Sequence, residues 1–258
     1  MILSIAGFDP SSGAGITADI KTIAAHGCFG AACITALTVQ NTAGVSRVES
    51  VEADLISETL DKLASDMSLA AVRIGMLGSA AAANAVADFL NASPAFPVVL
   101  DPVLRSSSGA RLLDQKGIEV LKRRMLSLSL VITPNLDEAA QLTGTKVTSI
   151  AEMKVAAAQL QRMGARNVVI TGGHLTSNTD LLRLESGQES EHGGLKIQSN
   201  STHGTGCAFA TALACNLAKG LDVVNAAMAA KEYVRQAIEA AYPIGRGTGP
   251  INHLFRLK

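Results

Sequence analysis

The chain has 258 residues, 48% of them hydrophobic, and its 22 basic and 22 acidic residues give zero formal charge. That length can bury a large core, and the neutral balance excludes a broad basic field for nucleic acid or an anionic membrane, so an anionic ligand must be held by a local site. Four irregularly spaced cysteines exclude a disulfide framework, scattered histidines argue against structural zinc, and no apolar run reaches the roughly 18 residues of a membrane span, which together suit a reducing cytoplasm.

The N-terminal apolar stretch is too short for a signal peptide and lacks a basic flank. It reads as a first buried strand over residues 2–6, leading through a loop rich in Gly and Ser into a helix whose Ile16, Ile20, Ile23 and Ala24 share one face and which Gly27 closes. Residues 33–39 are β-rich, and residues 45–51 alternate valine with polar side chains, as a half-exposed strand does. Asp54 is the expected cap of the next helix, with Ile56, Leu60 and Leu63 inward. Residues 71–74, 98–100, 130–132 and 168–170 are short apolar runs, each followed by a turn and a helical stretch, the pattern of buried parallel strands with right-handed crossovers. Residues 176–197 break that rhythm and read as an irregular edge with short runs at 181–184 and 195–197; helices over about 207–219 and 223–241 finish the chain. The expected fold is α/β, a three-layer αβα sandwich with a mainly parallel central sheet, as one domain over residues 1–258.

In such a sheet ligands gather at the carboxyl ends of the strands, and the unusual residues gather there too. Residues 200–214 pass from a polar glycine turn into an Ala-rich helix. Gly204, Thr205 and Gly206 would turn backbone N–H groups toward an anion where a helix N-terminus adds partial positive charge, although a plain strand-to-helix turn has the same look. Cys207 opens that helix, where a thiolate is favoured but a small packed residue also fits. Thr133-Pro-Asn-Leu-Asp-Glu138 puts Asn135 and Glu138 at i and i+3, suited either to ordering a hydrated Mg²⁺ or to a capping box. Asp101, at a strand end before Pro102, offers the same choice between metal and turn. The loop over residues 6–15 is neither a dinucleotide fingerprint nor a P-loop. Asp19, four residues into the following helix, faces either solvent or the rim. Gln40 and Asn41 end a β-rich run where an amide can read a heterocycle edge, and Met76 can pad a flat ring or simply fill core.

Taken together, Asp9-Pro-Ser-Ser-Gly-Ala-Gly15, Ile34-Thr-Ala-Leu-Thr-Val-Gln-Asn-Thr42, Ile74-Gly-Met-Leu77, Asp101-Pro-Val103, Thr133-Pro-Asn135 with Glu138, Gly172-Gly-His174, Thr202-His-Gly-Thr-Gly-Cys207 and Gly249-Pro-Ile-Asn-His253 resemble, in order and over nearly the whole chain, the hydroxymethylpyrimidine and phosphomethylpyrimidine kinases of the ribokinase-like superfamily. The resemblance implies ATP- and Mg²⁺-dependent phosphorylation of a small pyrimidine in thiamine biosynthesis, commonly by a homodimer. By motif, Gln40, Asp19, Ala14 and Met76 would line the pyrimidine pocket. Asp101 and Glu138 would organise the metal, and Asn135, Glu138, Thr171 and Gly173 would hold ATP. Gly204, Thr205 and Gly206 would form the anion hole, and Cys207 stands where related sugar kinases carry an aspartate base. Two departures are expected to matter: Ser107 and Thr171 occupy positions where the family commonly has lysine, while Arg105 brings a guanidinium to the first of those loops. The rival readings are a pyridoxal or pyridoxine kinase, and a non-catalytic ligand-binding protein on the same fold.

Overall fold

The protein is described from a computed structural model, covering every residue except Pro94, Ser107, His174, Leu195 and Lys258. A first strand, β1 (Ile2–Phe8), leads to α1 (Gly15–Ala25), the hairpin β2 (Gly30–Asn41) and β3 (Gly44–Ser50), and α2 (Ala53–Asp66). Then come β4 (Ala71–Ile74), α3 (Ala80–Ala92), β5 (Val98–Leu100) and a broken helical run of α4 (Gln115–Val120), a π-helical turn (Leu121–Met125) and α5 (Leu126–Leu128). The chain continues through β6 (Val131–Ile132), α6 (Leu136–Thr143), α7 (Ile150–Arg162), β7 (Asn167–Ile170), β8 (Asp180–Arg183) and β9 (Glu189–His192). It ends with β10 (Ser201–His203), α8 (Thr205–Ala218), α9 (Val223–Glu239) and β11 (Gly249–Pro250).

Among the described residues, nine strands form one sheet in the order β3-β2-β1-β4-β5-β6-β7-β8-β9. The six from β2 to β7 pair in parallel, while β3, β8 and β9 add antiparallel edges. Alternation along each strand sends side chains to two cores. Leu3, Ile5, Val72 and Ile74 pack with α2, α3, α6 and α7, whereas Ile2, Ala71, Val99 and Val131 pack with α8 and α9. Ala-rich α8 lies between the sheet and α9, buried from Ala208 to Leu217, and its small side chains permit that close approach. This is the expected three-layer αβα architecture.

Local departures from the sequence reading have clear causes. Asp54 does not cap α2: the helix begins at Ala53 after Glu52, and Asp54 sits in the first turn. Lys196 and Ile197 form no strand, and Leu195 lies outside the described residues; the edge strand is the polar Glu189–His192, which has no apolar alternation to announce it. The pair β10–β11 is too short for a periodic signal. Among the described residues no helix is long and apolar enough to cross a membrane.

Candidate active site

A cavity of about 1220 Å³ opens along the carboxyl ends of the parallel strands. Its wall includes Gly204, Thr205, Gly206 and Cys207, the turn that enters α8. Gly204 is the residue before the helix and adopts φ +85°, and a Cβ there would lie 1.8 Å from the Gly13 carbonyl oxygen, so only glycine fits. No side chain caps this helix end, which leaves its first-turn N–H groups oriented as an anion site requires.

Beneath the turn lies a charged network. Arg73, on β4 and fully buried, donates to Asp19 Oδ2 at 2.9 Å and to Asp101 Oδ2 at 2.8 Å. Asp19 also accepts from Ser4 Oγ at 2.6 Å and Thr211 Oγ1 at 2.8 Å. The expectation that Asp19 lines the pyrimidine pocket is therefore corrected: its carboxylate is fully buried beneath the cavity, and the members of this network that reach the cavity are Arg73 and Asp101. The thiolate expected at the start of α8 is disfavoured as well. Cys207 borders the cavity, but burial, reinforced by the Asp19 and Asp101 charges, pushes its thiol up to about 11, overriding the Arg73 guanidinium beside it. The thiol keeps its proton at neutral pH.

Asp101 and Glu138 both reach the cavity. Burial outweighs Arg73 and raises the Asp101 carboxyl to about 6; burial and the nearby Asp101 charge raise Glu138 to about 8, against backbone N–H groups of Asn135 and Leu104 that favour its anion. Asn135 and Glu138 do form a capping box, with Asn135 N to Glu138 Oε2 at 2.9 Å and Glu138 N to Asn135 Oδ1 at 2.9 Å. Capping and facing the cavity thus coexist in Glu138. Among the described residues no group of three or more potential metal ligands converges.

At one end of the cavity stand Gln40, Met76 and Ala14. Gln40 Nε2 donates to Thr38 Oγ1 at 2.6 Å, which fixes the amide while leaving its carbonyl oxygen available to a ligand. Met76 lies against Gly7, where a Cβ would come within 2.8 Å of its sulfur, and packs with Ala36 and Leu112. Arg105 reaches the same cavity from an exposed hairpin closed by the Arg105–Arg111 bridge, and its Nη1 donates to the Gly109 carbonyl at 3.3 Å. Ser107, in that hairpin, lies outside the described residues.

Elsewhere the cavity meets Asn135, Thr171 and Gly173, with Asn135 and Thr171 joined by a bridge between the ends of their strands. His174, in the same motif, lies outside the described residues. Lys231 of α9 donates to Asp180 Oδ2 at 2.7 Å and the Asn178 carbonyl at 3.0 Å, while Asp180 Oδ1 accepts from Gly172 N at 2.8 Å. Sequence reasoning noted an absent lysine at Thr171 and overlooked the cation that α9 brings to this wall. It also missed Arg73, hidden inside what reads as an apolar run; a charge in a central strand was the available signal. The contact of His203 Nε2 with Asp9 Oδ2 at 2.8 Å was missed too, since 194 residues separate the partners.

This sheet, with an anion turn, buried carboxylates and a long cleft at its carboxyl edge, defines a ribokinase-like phosphotransferase. Comparison with known proteins specifies the kind: residues 9–252 match the phosphomethylpyrimidine kinase family model, and the chain belongs to that family. It is 40% identical over 257 residues to the hydroxymethylpyrimidine/phosphomethylpyrimidine kinase of Haemophilus influenzae, covering 98% of this chain and 96% of that one. It is 42% identical over 255 residues to a thiamine biosynthesis bifunctional protein of Geobacter sulfurreducens, covering 98% of this chain but spanning 52% of that longer relative. Among solved structures, an ADP complex of Bacillus subtilis pyridoxal kinase superposes with a TM-score of 0.90 at 32% identity, covering 100% of this chain and 98% of the other.

Proposed function

We propose that the enzyme transfers the γ-phosphoryl group of ATP to hydroxymethylpyrimidine phosphate, and less efficiently to the free alcohol, within thiamine biosynthesis. The observation that carries this reading is one continuous cavity lined by Gln40 and Met76, by the Gly204–Cys207 turn, and by Asn135, Thr171 and Lys231. An acceptor ring and a nucleotide can therefore share one enclosure with the anion turn. Gln40 reads the pyrimidine edge with Met76 against the ring face, and Ala14 closes the pocket beside them. Thr171, Gly173 and Asn135 border the nucleotide, where Lys231 supplies a cation. Gly204, Thr205 and Gly206 stabilise the charge on the transferring group, the dominant requirement in phosphoryl transfer. Cys207 keeps its proton and touches Arg73, so it acts by position rather than as a base.

The carboxylates Asp101 and Glu138 fit Mg²⁺, because both line the cavity and burial disfavours their anions, an imbalance that a divalent cation beside them would relieve by displacing the protons. When bound there, with water and phosphate oxygens completing its shell, the ion would neutralise phosphate charge. One ribokinase-like domain over residues 1–258 suffices for these roles. Its setting in this reading is the cytoplasm, as a homodimer; exposed Leu37 and Val39 on β2 offer an apolar strip that a second copy would cover.

ATP consumption with hydroxymethylpyrimidine, its phosphate and pyridoxal tests the assignment. The expected order places the pyrimidine phosphate first; highest kcat/KM on pyridoxal would replace this reading with that of a pyridoxal kinase.

A further inference from the structure

Two loops meet at the floor of the cavity, and their fit is unusually close. The first, residues 9–15, follows β1; the second, residues 203–207, enters α8. A Cβ on Gly204 would lie 1.8 Å from Gly13 O, and a Cβ on Gly13 would lie 2.3 Å from His203 Cδ2. Glycine on both sides permits this interlock. At its centre Asp9, only 2% exposed, accepts from Ser11 N at 2.8 Å, Ser11 Oγ at 2.7 Å, Ala14 N at 2.9 Å and His203 Nε2 at 2.8 Å. Burial alone would raise the Asp9 carboxyl, but the bonds from His203, Ser11 and Ala14 hold it below its ordinary range, so the carboxylate accepts and His203 Nε2 carries the proton between them.

A third element locks the first loop from behind. His253, 3% exposed, contacts the Gly13 carbonyl through Nε2 at 3.1 Å and Thr22 Oγ1 through Nδ1 at 3.2 Å. A carbonyl only accepts, so Nε2 donates, and burial pushes this imidazole down to about 4, leaving Nδ1 to accept from Thr22. Tyr233 Oη in turn donates to the His253 carbonyl at 2.6 Å. None of His203, His253 and Tyr233 is needed for the chemistry assigned above.

We propose that His203 is a positioning residue: through Asp9 it fixes the Gly204–Cys207 turn to the Asp9–Gly15 loop, so that the anion turn and the wall of the acceptor pocket hold one relative geometry. Ala14 borders the pocket and Gly204 opens the turn, so a slip between the loops displaces acceptor and transferring group relative to each other. Misplacement by about 1 Å is enough to cost on the order of 100-fold in rate. The inference rests on the pyrimidine-kinase reading for its kinetic half only.

The test compares His203→Ala, His203→Gln and Asp9→Asn with wild type in three measurements: the KM for each substrate, kcat, and amide hydrogen exchange in the two loops. His203→Ala is expected to lower kcat by roughly 10- to 100-fold with both KM values within about threefold, while exchange rises together in residues 13–15 and 204–207. His203→Gln, whose amide still donates to Asp9, is expected to recover most of the kcat. Asp9→Asn, which retains an acceptor oxygen, is expected to fall between the two and guards against a histidine variant that does not fold. An unchanged kcat in His203→Ala, failure of glutamine to restore any of a loss, or faster exchange in one loop alone overturns the proposal. A wild-type enzyme inactive on both pyrimidines would overturn the function assigned above, and the exchange measurement would still decide whether the two loops are coupled.

Discussion

The floor and the roof of the cavity are built on opposite terms. On the floor, Arg73 is fully buried between two carboxylates, Asp9 takes four hydrogen bonds, and glycines let Gly13 and Gly204 approach more closely than any side chain would allow. Over the roof, the exposed 105–111 hairpin leans on the β2–β3 turn through Ser108 Oγ and Val45 N at 3.4 Å, and Gly247 N donates to Thr42 Oγ1 at 3.2 Å. Groups that stabilise developing charge must be held in place before reaction, whereas the segments that admit substrate must open at little cost. In the proposed reading, the difference would put charge stabilisation below the ligand and substrate admission above it.

The largest effect should come from breaking the floor. Arg73→Met leaves Asp19 and Asp101 facing each other without their shared cation, and removing one partner of a buried pair costs about 3–5 kcal/mol. Urea unfolding should show that loss as a lower midpoint with an unchanged slope. A loss under about 1 kcal/mol would mean that the carboxylates simply take up protons and that the network holds little of the fold together.

The floor was also the region least legible in the sequence. The central strands, the αβα layering and the capping box at Asn135 and Glu138 follow from periodicity and local residue types, and Ala71–Ile74 and Val98–Leu100 fall where their apolar runs predict. Most of the proposed site residues lie at strand ends, where a motif marks them. Asp19 was misplaced because its helical position allows two orientations, and only the presence of Arg73 on β4 decides between them. His203 with Asp9 and Lys231 with Asp180 are long-range pairs, 194 and 51 residues apart, and no local pattern announces such partners.

A mid-sized effect separates recognition from folding at the pocket wall. Gln40→Leu keeps the volume of the side chain but removes the amide, so the polar edge of the pyrimidine loses its partner at a cost of about 1–3 kcal/mol. The measured consequence should be a fall in kcat/KM for pyrimidine of roughly 5- to 150-fold with the ATP KM unchanged. Equal losses on both substrates would assign Gln40, through its bond to Thr38, to support of β2 instead.

Acidity offers a gentler probe of the floor. Glu138 titrates near 8 in the folded protein against an ordinary 4.5, so between those values the folded state holds a proton that the unfolded chain has released. Its contribution to stability is thus fully present below about 4.5 and is lost as pH rises through about 8; Asp101, raised to about 6 from 3.8, acts in the same direction at lower pH. The ligand-free Tm should fall by a few degrees between about pH 5.5 and pH 8.5, and Glu138→Gln should flatten that slope. A Tm that rises over the interval would contradict the burial of this carboxyl.

The smallest effect concerns the roof and decides which pyrimidine the enzyme prefers. With its thiol pushed up to about 11, Cys207 is not poised to deprotonate a hydroxymethyl group at neutral pH. A pyrimidine monophosphate needs no such help, because its attacking phosphate oxygen is already anionic at neutral pH. In the proposed reading Arg105 would give that phosphate a partner: its guanidinium reaches the cavity from the hairpin with one modest bond to the Gly109 carbonyl, leaving donors that match phosphate geometry. Solvent screens an exposed arginine, so the expected contribution is about 1 kcal/mol, below that of a buried charge-assisted pair. Arg105→Ala should therefore lower kcat/KM for the pyrimidine phosphate by roughly fivefold, leave that for the free alcohol unchanged, and not alter the KM for ATP. Removing Cys207 should slow both pyrimidines to the same modest degree if, as proposed, the sulfur acts by position in both reactions. If Arg105→Ala weakens ATP alone, the hairpin serves the nucleotide and the preference for the phosphorylated substrate has no support from the roof. If Cys207→Ala slows the alcohol far more than the phosphate, the thiol does reach its base form during turnover and the floor contributes acid–base chemistry after all.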